Sequence, residues 1–163
     1  MLNVPHFRQV RAFTCGPACL RMVLAYYEIA DTEADISDAV GCTADAGTSP
    51  ANMARYLRKR GFVAHSRTNC TLADIKADIK RGRVPIIAYQ AHGGPGVDLS
   101  TTLLHGHYSI VVGVTGDRVT LCDPSAKTKH THLDAATFLE RWNDIDARGK
   151  QFFRWALTVR PKH

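Results

Sequence analysis

Apolar residues recur at helical spacing in the first half of this chain and gather into short β-branched and aromatic runs in the second. From Cys15 to about Glu28 the pattern CGPACLRMVLAYYE sets Cys15, Cys19, Met22, Val23, Tyr26 and Tyr27 on neighbouring turns, which predicts a largely buried helix. Pro17 fits the first turn, where a missing N–H costs nothing, so this helix begins close to Cys15. A second helix is expected from about Thr32 to Val40, with Asp31 or Thr32 as its cap and Gly41 closing it. Ser49, Pro50 and Gly61 bracket PANMARYLRKR as a third. Thr71 and Asp74 have capping-box spacing before LADIKADIKRG, a fourth, and Asp134 through Asn143 reads as a fifth.

The segments FVAHSRT, VPIIAYQA, HYSIVVGV, RVTLCD and FFRWALTV are bounded by Gly, Pro or Asp and read as strands. Gly116 and Asp117 leave room only for a tight connection between two of them, which favours an antiparallel hairpin. The expectation is one α+β domain over residues 1–163, helices first and an antiparallel sheet later. Residues 92–106, HGGPGVDLSTTLLHG, form a long glycine-bearing loop of the kind that is often functional.

Composition narrows the classes. With 163 residues, 45% hydrophobic and 22% charged, the chain suits one globular core and not a disordered segment. No run approaches the roughly 18 apolar residues of a membrane span, and the N-terminus lacks a secretory pattern, so no membrane association and a cytoplasmic setting are expected. The five cysteines, at 15, 19, 42, 70 and 122, show no paired zinc spacing and no disulfide framework, which points to reduced thiols. The net charge of +6 is densest from Arg55 to Gly61, where basic residues fall at helical spacing near a helix C-terminus. A solvated helix face accounts for that run, and no nucleic-acid partner is expected.

The chemistry centres on Cys15. A thiol attacks as thiolate, and a helix N-terminus favours that form through its aligned peptide dipoles. The competing reading is a buried cysteine at a helix start. His107 opens a strand directly after the glycine-bearing loop, where it can act as a base. Asp123 ends the paired strand, so a hairpin would bring the two together and let the carboxylate fix the imidazole tautomer. Asp123 also precedes Pro124 and can be a turn residue instead. Gln9, six residues before Cys15, could donate to an oxyanion or sit idle at the surface.

The combination VPHFRQVRAFTCGPACLRMVLAYY, GHYSIVVGV and CDPS resembles the double-glycine leader peptidases that process bacteriocins, especially their stand-alone bacterial relatives. GTSPANMARYLRKRGF, LADIKADIKRG before VPIIAYQA, and FLERWND extend the likeness over most of the chain. The resemblance implies a papain-like cysteine peptidase fold, with Cys15 as nucleophile, His107 as base, Asp123 as orienting acid and Gln9 in the oxyanion hole. It implies a peptide or protein substrate and no cofactor. Thr14 stands where transporter-linked members usually carry an acidic residue, and their membrane-spanning and ATPase parts have no counterpart here.

Gln90, His92 and Gly106 are expected to line the substrate cleft. His105 with His107, and His130 with His132, have HxH spacing, but no carboxylate or cysteine cluster accompanies them and no metal site is assigned. Cys19, Trp142 and Trp155 read as core residues. The same four catalytic candidates would equally serve a glutamine deamidase or an acyl transferase, and the fold could persist as a non-catalytic peptide-binding module.

Overall fold

The computed structural model describes residues 1–92, 106–146 and 148–163. Helices come first: α1 (Cys15–Tyr26), α2 (Glu33–Val40) and α3 (Pro50–Lys59). Then β1 (Phe62–Arg67), α4 (Leu72–Lys80), β2 (Val84–Gln90), β3 (Gly106–Thr115), β4 (Arg118–Cys122), β5 (Thr131–Asp134), α5 (Ala135–Arg141), β6 (Asn143–Ile145), β7 (Gln151–Phe153) and β8 (Ala156–Pro161) follow. The architecture is the α+β arrangement expected of a papain-like chain.

The predicted caps form. Thr32 and Ser49 accept from the N–H groups of Asp35 and Asn52, and Gly41 closes α2 in the left-handed region. Thr71 and Asp74 make a reciprocal capping box at α4. One expectation fails: FFRWALTV is not one strand. Arg154 adopts a φ of 48°, so the chain breaks there into β7, which pairs with β6, and β8, which lies inside the main sheet between β1 and β2. Two short strands, β5 and β6, flank α5 where a helix alone was expected from 134 to 143. The loop 92–106 falls almost entirely outside the described residues.

The main sheet has the order β1-β8-β2-β3-β4-β5, and its pairings are antiparallel. Alternation along β2 divides its side chains between two cores: Val84, Ile86 and Ala88 pack with α1–α3, while Ile87 and Tyr89 pack with Ile75, Phe138 and Trp142. β2 is buried along its whole length because helices cover both faces. α1 packs on β3, with Cys19, Leu20, Val23 and Leu24 fully withdrawn from water. Among the described residues no helix is long and apolar enough to cross a membrane.

α1 is therefore held by packing, and packing sets where Cys15 stands. Leu20→Ala is expected to destabilise the fold by about 2–5 kcal/mol, as truncation of a fully buried leucine does, measured by urea denaturation. A loss under about 1 kcal/mol would show that α1 is not anchored through its buried face.

Candidate active site

Cys15 is the first residue of α1 and half-buried. Thr14, before it, does not cap the helix: its hydroxyl donates to the Arg11 carbonyl and accepts from the Arg11 N–H, each at 3.0 Å. The first N–H groups of α1 thus keep no intrahelical acceptor and no side-chain cap. Gly16 lets this helix end approach its surroundings closely. A Cβ there would meet Thr48 Cβ at 3.0 Å and Tyr108 at 3.4 Å.

The β3–β4 hairpin brings His107 to Asp123. Ile110 pairs with Cys122, so Asp123 continues the register toward Ser109, and His107 lies one diagonal step further on the same face. Diagonal neighbours are about 7–8 Å apart at the backbone, a gap that an imidazole and a carboxylate can close. His107 Nε2 and Asp123 Oδ1 are 2.9 Å apart, and both groups are buried. Cys15 and His107 line the same cleft, and Cys15 is among the groups that raise the imidazole.

Asp123 is saturated with donors. Oδ1 accepts from Ser125 N–H at 2.8 Å and Ser125 Oγ at 2.6 Å in addition to His107, and Oδ2 accepts from Tyr89 Oη at 2.7 Å. The Ser125 bonds are those of an Asx-turn, so Asp123 initiates the turn at Pro124 and meets His107 at once. Its backbone carbonyl also receives His6 at 2.8 Å. Tyr89, Ser125 and His6 were not singled out from sequence. Ser125 was readable from the Asp-Pro-Ser turn; Tyr89 and His6 carry no local signal.

These contacts set the protonation. Burial alone would push His107 down, but its bond with Asp123 and the influence of Cys15 reverse this and hold it up at about 10. For Asp123 burial pushes upward, and His107, Ser125 and Tyr89 outweigh it, holding the carboxyl well below the usual range. Cys19, one turn beyond Cys15, is fully buried and its thiol is pushed well up by burial, as suits a core residue.

Cys15 and His107 open into a cleft of about 650 Å³, lined also by Gly47, Thr48, His92, Gly106, Asp144 and Asp146. His92 and Gly106 line it. Gln90 does not: it is fully buried behind the wall, where its amide donates to the Asn143 carbonyl at 3.0 Å and to Asp144 Oδ1 at 3.2 Å. Gln9 lies on the turn before α1, tied by its N–H to the Pro124 carbonyl at 2.9 Å. Its Nε2 donates to the carbonyls of Arg11 and Ala12 at 2.8 and 3.0 Å. His130 and His132 form no metal cluster; His132 Nδ1 meets the Thr120 hydroxyl at 3.1 Å, and among the described residues no group of three metal-binding side chains assembles. His105 lies outside the described residues.

A second hollow of about 940 Å³ adjoins the cleft and shares Ser49, Pro50 and Asp146 with it, between α3 and the β7–β8 region.

Comparison with known proteins shows the same fold elsewhere. The chain is 29% identical over 142 residues to the transport/processing ATP-binding protein ComA of Streptococcus pneumoniae, a match covering 86% of this chain and 18% of ComA. It thus spans less than a fifth of the length of such curated relatives. The peptidase domain of Streptococcus ComA superposes with a TM-score of 0.72 at 18% identity, covering 98% of this chain and 100% of that domain. A double-glycine-motif protease of an AMS/PCAT transporter, solved with its leader peptide, superposes with a TM-score of 0.67 at 20% identity, covering 99% of this chain and 94% of that one. The model of the Peptidase_C39 like family matches residues 1–150, so this chain belongs to that family.

Proposed function

We propose that the chain hydrolyses a peptide bond through a thioester on Cys15, with His107 as base and acid, Asp123 as orienting residue and a leader-bearing peptide as substrate. The buried 2.9 Å bond between His107 and Asp123, with Cys15 and His107 on the wall of one cleft, carries this reading. His107 holds the proton drawn from the Cys15 thiol, so sulfur attacks the carbonyl carbon as a thiolate beside the imidazolium. The tetrahedral adduct collapses, the C–N bond breaks, and His107 returns the proton to the departing amine. Water, deprotonated by His107, then attacks the thioester, and Cys15 leaves as the restored thiol.

The oxyanion is met by the uncapped start of α1, above all the N–H of Cys15. Gln9 is the second donor. It must give up a neutral carbonyl to serve, and a charged oxyanion outcompetes such acceptors because charge-assisted hydrogen bonds are about twice as strong. The adjoining hollow beside α3 gives room for substrate residues distant from the cut. The leader-peptide complex of the AMS/PCAT protease supports a leader-bearing substrate.

Cys15→Ala is expected to abolish cleavage of a peptide mixture, read by mass spectrometry, while folding stays nearly intact; residual turnover would exclude the thioester route. Asp123→Asn should lower kcat by orders of magnitude, though less than His107→Ala, because it loses the tautomer preference and keeps a base. Gln9→Ala should lower kcat by about 10² to 10³ while iodoacetamide alkylates Cys15 at a near wild-type rate, since alkylation forms no oxyanion. A parallel fall in both rates would reassign Gln9 to ordering the turn before α1.

The raised His107 also predicts a pH dependence of stability. A histidine that binds its proton more tightly when folded contributes stability fully present below about pH 6.5 and lost as pH rises through about 10. Melting temperature should therefore decline from pH 7 to 10, and decline less in Asp123→Asn. Equal slopes by scanning calorimetry would mean that the Asp123 contact does not hold the proton.

A further inference from the structure

The cleft carries a charge opposite to that of the molecule. The chain has 21 lysines and arginines against 15 aspartates and glutamates. Yet the described residues lining the cleft include Asp45, Asp144 and Asp146 and no lysine or arginine. Residues 93–105 contain neither in their sequence. A substrate reaching Cys15 leaves a cationic surface for an anionic one, a field that favours positive groups at the reacting bond.

Asp144 is the carboxylate set nearest the chemistry. β6 lays it over Gly106, the residue before His107, so closely that a Cβ at 106 would clash with both carboxylate oxygens. Only glycine admits it. Oδ1 is anchored by the Ile145 N–H at 2.8 Å and by Gln90 Nε2 at 3.2 Å. Oδ2 receives no donor among the described residues, and no lysine or arginine among them pairs with the group. Burial raises its carboxyl to about 6, opposed by the Ile145 N–H, the Gln90 amide and the charge of His107, so it is largely ionised at neutral pH. A partly desolvated carboxylate with one oxygen fixed and the other unmet is costly alone, and a cation completes it.

We propose that Asp144 is a specificity-determining residue whose free carboxylate oxygen receives a lysine or arginine side chain of the substrate, close to the bond that Cys15 attacks. The proposal rests on the peptidase reading of the cleft and adds a substrate class to it, a peptide basic beside its cleavage site.

The test needs no known substrate. Two methanethiosulfonate reagents, one bearing a trimethylammonium and one a sulfonate, label Cys15 in the intact protein, and mass spectrometry of the Cys15 peptide gives the two rates. Their ratio cancels the thiolate fraction and reads the local field. The wild type should favour the cationic reagent beyond the ratio for free glutathione, and 0.5 M salt should reduce the excess. Asp144→Asn, which is isosteric and keeps an oxygen for Gln90 and Ile145, should lower the ratio about three- to tenfold. Asp117→Asn, in the exposed turn at the far end of the β3–β4 hairpin, should leave it unchanged. In a peptide mixture, lysine or arginine should be enriched within two residues of the cut bonds for the wild type and not for Asp144→Asn. A wild-type ratio at or below that of glutathione, or equal ratios in wild type and Asp144→Asn, overturns the proposal whether or not peptides are cut. Cys15 labelling no faster than glutathione by both reagents would instead count against the peptidase reading.

Discussion

The Asp123 carboxylate is the constraint on which the site depends. A charge withdrawn from water must be met by donors, and four meet this one: His107, the Ser125 N–H, the Ser125 hydroxyl and Tyr89. They come from β3, the turn after β4, and β2. His6 adds the N-terminal segment through the Asp123 carbonyl, and the neighbouring Pro124 carbonyl holds the backbone of Gln9. The carboxylate thus ties together three strands' ends, and the backbone carbonyls of Asp123 and Pro124 bind the chain's first residues to the same turn. The same contact holds the proton of the His107 imidazole.

The second constraint is the exposed end of an otherwise buried helix. Packing of Cys19, Leu20, Val23 and Leu24 fixes α1, so its start tolerates the loss of a capping bond worth about 1 kcal/mol. Thr14 spends its hydroxyl on Arg11 instead. The first N–H groups of α1 are left without a side-chain cap. Gly16 extends the same logic, because the absence of a side chain lets the helix end reach Thr48 and Tyr108. Gly106 does likewise under Asp144, so two glycines set how tightly the cleft walls close on the reacting groups.

Local signals in the sequence were read where one segment held all the physics. The caps at Thr32, Ser49 and Thr71, the closure at Gly41 and the tight connection at Gly116 each depend on a few adjacent residues, and each formed. FFRWALTV failed because its composition suits a strand throughout, while the positive φ at Arg154 is imposed by the partners on either side, β6 for one half and β1 and β2 for the other. Gln90 was placed in the cleft because it ends a strand beside His92. Depth was not legible, since a fully buried strand gives no polar–apolar alternation to show which way a side chain points.

The sequence by itself determined the helix start at Cys15, the hairpin that joins His107 to Asp123, and the likeness that named the family, because these rest on neighbouring residues or a fixed register. Only the tertiary structure decided that Tyr89 and Ser125 complete the carboxylate's shell, that Gln9 spends its amide on Arg11 and Ala12, and that Asp144 lies over Gly106. Each of these is a contact made by the packing of separate elements, and burial and hydrogen-bond saturation are properties of the assembled core that no local pattern encodes.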